Sequence, residues 1–199
     1  NNEQKSQLGI VKGSANHLLS LINDVLDLSK LEAGRVDLIV EKFNLYDLLS
    51  ESLGTFAPMV KVKNIQLNSD YPSDLTLCND PRRLKQIIIN LVSNAVKFTD
   101  KGNVNVLATT QNGNLMIQVK DTGMGMMDAD MRRLFQPFQQ LNEQLVKSRE
   151  GTGLGLYLSR KLANLMGGDI SAVSEFGVGS IFTVTTPIDV GNRKESTNE

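Results

Sequence analysis

Four short motifs follow one another through the second half of this chain, and they limit its folding possibilities more than any other feature. They read Asn90-Leu-Val-Ser-Asn94-Ala-Val-Lys97, Asp121-Thr-Gly123-Met-Gly125, Phe135-Gln-Pro-Phe138 and Gly151-Thr-Gly153-Leu-Gly155. Short glycine patterns arise by chance in loops, so none is specific alone. Together they outline a site for a nucleotide and a divalent ion.

The first motif lies on a helix that Asp80-Pro81 starts well, a capping carboxylate followed by proline at the first helical position. Leu84, Ile87, Ile88, Leu91 and Ala95 form its apolar stripe. Asn90, Asn94 and Lys97 fall at i, i+4 and i+7, a polar stripe on another face. A neutral amide oxygen beside nucleotide phosphates suits magnesium, which prefers hard oxygen ligands and keeps several waters. Lys97 would add positive charge there. A solvated helix face gives the same pattern in isolation.

Asp121 ends a strand and enters the first glycine motif. A carboxylate there can accept a hydrogen bond from the exocyclic amine of adenine, while Gly123 and Gly125 let the backbone approach the base. An ordinary Asp-Thr-Gly turn reads similarly. Met124, Met126 and Met127 suit a pocket wall or core. Gly151 to Gly155 precede a helix whose free N–H groups can bind phosphate. The loop between Phe138 and Glu150 carries Lys147 and Arg149 and reads as a lid or as a plain solvated loop. Phe135 and Phe138 are expected to anchor it to the core.

In the opening stretch, Leu8, Ala15 and Ile22 repeat every seven residues, as do Val11, Leu18 and Val25, and Gly34 supplies a C-cap. A helix with this stripe needs a partner helix, from its own chain or a second subunit. Further expectations are an extended piece at 36–40, a helix over 45–60 capped by Asn44, and strands at 65–69, 75–78, 104–110 and 115–119. A short helix at 128–134, a helix at 153–166 and strands at 170–174 and 181–186 follow. From Gly191 the polar tail is expected to be disordered. The chain opens at Asn1 within a helix-like stretch, so it is expected to be a fragment of something longer. Its 199 residues suit one domain plus an appendage. A net charge of -1 gives no general pull toward nucleic acid or an anionic membrane. With Cys78 as the sole cysteine, an internal disulfide and a zinc cluster are excluded, which fits a reducing compartment.

The ordered set resembles the asparagine, first glycine, phenylalanine and second glycine boxes of sensor histidine kinases. These belong to the ATPase/kinase superfamily shared with type II topoisomerases, mismatch-repair ATPases and heat-shock chaperones. The stretch from Asn16-His17-Leu-Leu through Lys30-Leu-Glu-Ala-Gly34 resembles the second helix of their dimerisation hairpin, most like that of hybrid kinases, which carry a receiver domain. The resemblance runs from Ser14 to Pro187. It implies an α/β (α+β) two-layer sandwich, a mixed sheet with helices on one face, preceded by a long N-terminal helix. Residues 1–34 would be the hairpin remnant, 35–188 the ATP-binding catalytic domain, and 189–199 a polar tail or linker.

The resemblance further implies transfer of the γ-phosphoryl group of Mg-ATP to a histidine on a helix that this chain does not contain. Asn90, Asn94 and Lys97 would be catalytic, with Asn94 holding Mg²⁺ and Lys97 the phosphates. Asp121 would read adenine beside Gly123, Gly125 and Met126. Lys147, Arg149, Gly151, Thr152, Gly153, Leu154 and Gly155 would border the triphosphate, and Thr183 would assist at the base. Implied partners are dimerisation helices of the same or a second kinase chain and a response-regulator receiver domain. Neither nucleic acid nor membrane contact is expected, and the location is cytoplasmic, as part of a soluble or membrane-bound sensor. Two departures stand out. ATP-hydrolysing relatives usually have glutamate at the position of Asn90, and an amide cannot serve as their general base. His17, the only histidine, is followed by Leu18-Leu19-Ser20-Leu21 rather than an acidic residue, and is expected to be a surface residue, not the acceptor. A nucleotide-regulated docking module and a simple ATPase are the competing readings.

Overall fold

Alternation of apolar and polar residues makes the sheet and decides which side the helices cover. A computed structural model describes residues 2–139 and 152–191; within 2–20 the side chains described are those of Gln4, Gln7, Leu8, Val11, Ala15, Leu18 and Leu19. In chain order the elements are α1 (Asn2–Glu32), β1 (Glu41–Asn44), α2 (Leu45–Gly54), α3 (Ala57–Lys63), β2 (Gln66–Asp70), β3 (Thr76–Asn79) and α4 (Pro81–Phe98). There follow β4 (Asn103–Gln111), β5 (Asn114–Asp121), α5 (Asp128–Met131), α6 (Gly155–Leu165), β6 (Asp169–Glu175) and β7 (Gly179–Pro187). Five strands form one sheet in the order β2-β4-β5-β7-β6. Only β2 and β4 run parallel; the other pairs are antiparallel, so the sheet is mixed. β1 and β3 pair apart from it.

Val104, Val106 and Ala108 of β4, Leu115, Ile117 and Val119 of β5, and Phe182 and Val184 of β7 share the buried face. Against it pack the stripe Leu84, Ile87, Ile88, Leu91 and Ala95 of α4, and Leu158, Leu162 and Ala163 of α6. α2 adds Leu45, Leu48, Leu49 and Leu53 over α4. This is the two-layer arrangement expected from the sequence. The β4–β5 turn uses Asn112 and Gly113 at φ 51 and 74, the pair of positive values a two-residue hairpin needs. α1 ends as expected at Gly34, φ 64, with Arg35 N–H donating to Lys30 O at 2.9 Å. Leu8, Val11, Leu18, Leu19, Ile22, Val25 and Leu26 of α1 are exposed, whereas Leu28 joins the buried residues.

Three expectations need correcting. The helix over 45–60 is two helices, because Pro58 has no N–H to return to Gly54; it starts a second helix, where the missing donor costs little. The extended piece at 36–40 forms no strand. The strand lies at Glu41–Asn44, whose pairing with β3 outweighs its lack of apolar alternation. α5 stops at Met131, short of Leu134. Ahead of the polar tail the chain is held as far as Val190: Cys78 N–H donates to Ile188 O at 2.8 Å and Val190 N–H to Cys78 O at 3.0 Å. Residues 192–199 lie outside the described residues. No helix among the described residues is long and apolar enough to cross a membrane.

Candidate nucleotide-binding site

Asp80 sets the frame by fixing the start of α4. Its Oδ1 accepts from Arg82 and Arg83 N–H at 3.0 and 3.1 Å, and its Oδ2 accepts from Ile39 N–H at 2.8 Å. With the apolar stripe turned to the sheet, Asn90, Asn94 and Lys97 follow one another along the helix flank, all half-buried. Asn90 Nδ2 donates to Ser159 Oγ of α6 at 2.8 Å, tying the two helices together. Gly155 opens α6 against the same amide: a Cβ there would lie 2.5 Å from Asn90 Oδ1. Asn94 makes no side-chain hydrogen bond among the described residues, which leaves its amide oxygen available as a hard donor. The Lys97 ammonium lies 5.1 Å from the centre of the Phe98 ring.

Asp121 ends β5 with the same parity as Leu115, Ile117 and Val119, so it points under the helices and is only 5% exposed. Its Oδ1 accepts from Gly123 N–H at 2.8 Å. Burial pushes its pKa above the ordinary aspartate value; the N–H groups of Gly123 and Ser180 act in the opposite sense and offset only part of this. The loop beyond it is cut close to its neighbours. A Cβ on Gly123 would overlap Phe98 O at the end of α4, and one on Gly125, φ 64, would overlap Glu175 O. Met126 sits among the core residues, its N–H donating to Ser174 Oγ at 2.8 Å.

Thr183 does not join this group. β7 alternates, with Phe182 and Val184 facing the helices, so Thr183 lies on the open face, where Gln118 Nε2 reaches its Oγ1 at 3.4 Å. The β7 residue that stands beside Asp121 is Ser180, its register partner, buried and 3.0 Å from Ser174 Oγ. Ser180 and Ser159 were missed by sequence reasoning. Strand register against Asp121 would have found Ser180; nothing in the helical pattern marks Ser159.

In the second glycine motif, Thr152 Oγ1 accepts from Leu154 N–H and donates to Asp24 Oδ2 of α1, both at 3.1 Å. Among the described residues no side chain caps the start of α6, which leaves its first N–H groups without a side-chain acceptor there. Leu154 is buried, so only its backbone is available to a ligand. Gly151, Lys147 and Arg149 lie outside the described residues, as does the side chain of His17. Phe135 packs on the core with the Arg160 guanidinium 4.8 Å over its ring. Phe138 is not an anchor. Its φ of 60 turns it outward and it is 65% exposed.

A mixed five-stranded sheet covered on one face, with a buried aspartate at a strand end and glycine loops opening between two helices, defines an ATP-binding α/β sandwich. Residues 79–190 match the family described as histidine kinase-, DNA gyrase B-, and HSP90-like ATPase, and the chain belongs to it. Among its relatives, sensor protein GacS of Pseudomonas syringae pv. syringae is 42% identical, over 98% of this chain and 22% of GacS. Signal transduction histidine-protein kinase BarA of Escherichia coli (strain K12) is 41% identical, over 94% of this chain and 21% of BarA. The crystal structure of full-length ShkA in complex with AMPPNP superimposes with a TM-score of 0.79 at 32% identity, over 93% of this chain and 39% of that one. The chain thus spans about a fifth of the length of these curated relatives and carries the catalytic ATP-binding domain of a sensor histidine kinase.

Proposed function

We propose that this chain binds Mg-ATP between α4 and α6 and delivers the γ-phosphoryl group to a histidine on a dimerisation helix supplied from elsewhere. The carboxylate of Asp121, buried at a strand end beside a glycine loop packed against the end of α4, is the observation that carries this reading. Asp121 accepts the exocyclic amine of adenine, and Gly123 and Gly125, packed against Phe98 O and Glu175 O, hold the loop close beside that carboxylate. Ser180 borders the same end. Lys97 and the uncapped N–H groups of α6, with Thr152, Gly153 and Gly155, face the phosphates. Asn94 offers the neutral oxygen that suits Mg²⁺, which when bound supplies charge neutralisation on the phosphates. An imidazole nitrogen attacks phosphorus, the bond to the ADP oxygen breaks, and the ring proton leaves to a base on the acceptor helix. Asn90, held by Ser159, cannot take a proton from water, which favours transfer over hydrolysis.

The exposed stripe of α1 suits a partner helix from this or a second kinase chain, and a receiver domain is the onward acceptor. The site of action is cytoplasmic, where ATP and receiver domains meet. The test is incubation with Mg²⁺ and γ-labelled ATP, with and without a complete acceptor hairpin. Acid-labile label on the added hairpin, and none on this chain alone, is expected. Steady release of phosphate without acceptor would replace this reading with a simple ATPase. Tight binding without transfer to the hairpin would leave a docking module.

A further inference from the structure

The carbonyl end of α4 creates an electrostatic problem for the nucleotide reading, on which this inference rests. A helix carries roughly half a negative charge at its C-terminus, concentrated on carbonyls that lack helical partners. Asn94 and Lys97 stand in the last two turns of α4, so a triphosphate seated against them would lie beside that negative pole. Two of the terminal carbonyls have local donors: Ala95 O accepts from Thr99 N–H at 3.1 Å and Thr99 Oγ1 at 2.7 Å, and Phe98 O accepts from Met124 N–H at 3.4 Å.

The other three converge on one side chain from a different helix. Lys63 Nζ donates to Val96 O at 2.8 Å, Lys97 O at 2.9 Å and Thr99 O at 2.9 Å, so all three ammonium protons are used. Asp100 lies farther out, 3.7 Å away and itself exposed. The reach of Lys63 is built into the end of α3. Asn64 takes the left-handed conformation at φ 54, Ile65 N–H closes back on Val60 O at 3.2 Å, and the buried Ile65 anchors the turn. A lysine needed only for solubility would leave its head in water, because ordering so long a chain costs rotamer entropy.

We propose that Lys63 is a positioning residue for the nucleotide site: its ammonium gathers the last carbonyls of α4, offsets the helix's negative pole beside the triphosphate, and fixes the turn that carries Lys97. It touches no substrate and acts through α4. The effect must therefore depend on the charge of the ligand, which a purely structural role would not produce. The repulsion from that negative pole disappears when the ligand carries no phosphates, so adenosine should be nearly indifferent to Lys63.

Calorimetric titration of the chain with Mg·AMPPNP and, separately, with adenosine tests this in wild type, Lys63→Met, Lys63→Gln and Lys63→Arg, with folding checked by circular dichroism. In Lys63→Met and Lys63→Gln the triphosphate should bind about fivefold more weakly, and adenosine within about twofold of wild type. Lys63→Arg, which keeps the charge, should return triphosphate binding to within about twofold. If Lys63→Met does not fold, the contrast between Gln and Arg decides. Equal weakening of both ligands would reduce Lys63 to a structural cap and overturn the proposal, as would triphosphate binding in Lys63→Met and Lys63→Gln that matches a wild type shown to bind. A wild type that binds neither ligand removes the nucleotide reading and this inference with it.

Discussion

Asp121→Asn separates affinity from stability at one buried atom. In the wild type one carboxylate oxygen is occupied by Gly123 N–H at 2.8 Å, and the amide oxygen of Asn can keep that bond. The amide NH₂ then replaces the second oxygen, so a donor meets the adenine amine. Losing a charge-assisted hydrogen bond costs about 1.5–3 kcal/mol, or roughly 10- to 150-fold in Kd. The fold should respond in the opposite direction. Burial raises the native pKa of Asp121 above its unfolded value, so the native state favours the protonated form. Between the two values the native chain binds a proton that the unfolded chain has released, and stability falls as pH rises through that window. At neutral pH the ionised carboxylate is therefore a cost, and the uncharged amide removes it. Titration with Mg·AMPPNP should show the affinity loss, while thermal unfolding without nucleotide at pH 7 gives an unchanged or higher Tm. Affinity within twofold of wild type would refute the adenine contact; a large drop in both quantities would mean that the substitution simply damages the fold.

Three further outcomes are expected. Nucleotide affinity of the wild type should weaken as pH drops through the raised pKa of Asp121, and the Asp121→Asn chain should lack that component when titrated over the same range. Gly155→Ala would set a methyl 2.5 Å from Asn90 Oδ1, so the Asn90–Ser159 bond must shift; phosphoryl transfer to a supplied hairpin should fall about 100-fold while the chain stays folded. Leu91→Ala empties a fully buried position between α4 and the sheet and should lower the unfolding free energy by about 2–5 kcal/mol in urea denaturation.

What could be read in the sequence was whatever repeats or is written in local chemistry. The α4 stripe, the Asp80-Pro81 start, the Asn112-Gly113 turn and the Gly34 cap are all set within a few residues, and the structure places them where the pattern does. Asp121 was legible because a carboxylate at a strand end followed by two glycines is unusual. The rest depends on partners far along the chain. β1 exists because β3 and Asp80 hold it, not because Glu41-Lys42-Phe43-Asn44 alternates. Thr183 and Ser180 lie on opposite faces of β7, and only the pairing register shows which face meets Asp121. Phe138 looked like an anchor by composition, yet a left-handed backbone turns it out. The link from Lys63 to α4 spans more than thirty residues and has no sequence period at all.

A hydroxyl has one proton to give, and that of Thr152 is already given to Asp24 on α1. Any phosphate oxygen that takes this donor must first displace the N-terminal helix from it, and any movement of that helix returns the donor to the glycine loop. α1 and a nucleotide are rivals for a single hydrogen atom. A bond from a hydroxyl to a carboxylate is worth about 1.5–3 kcal/mol, or roughly 10- to 150-fold in an equilibrium. A pull on the N-terminal helix is thus felt at the loop as a change in affinity, and an arriving ligand loosens the helix by the same factor.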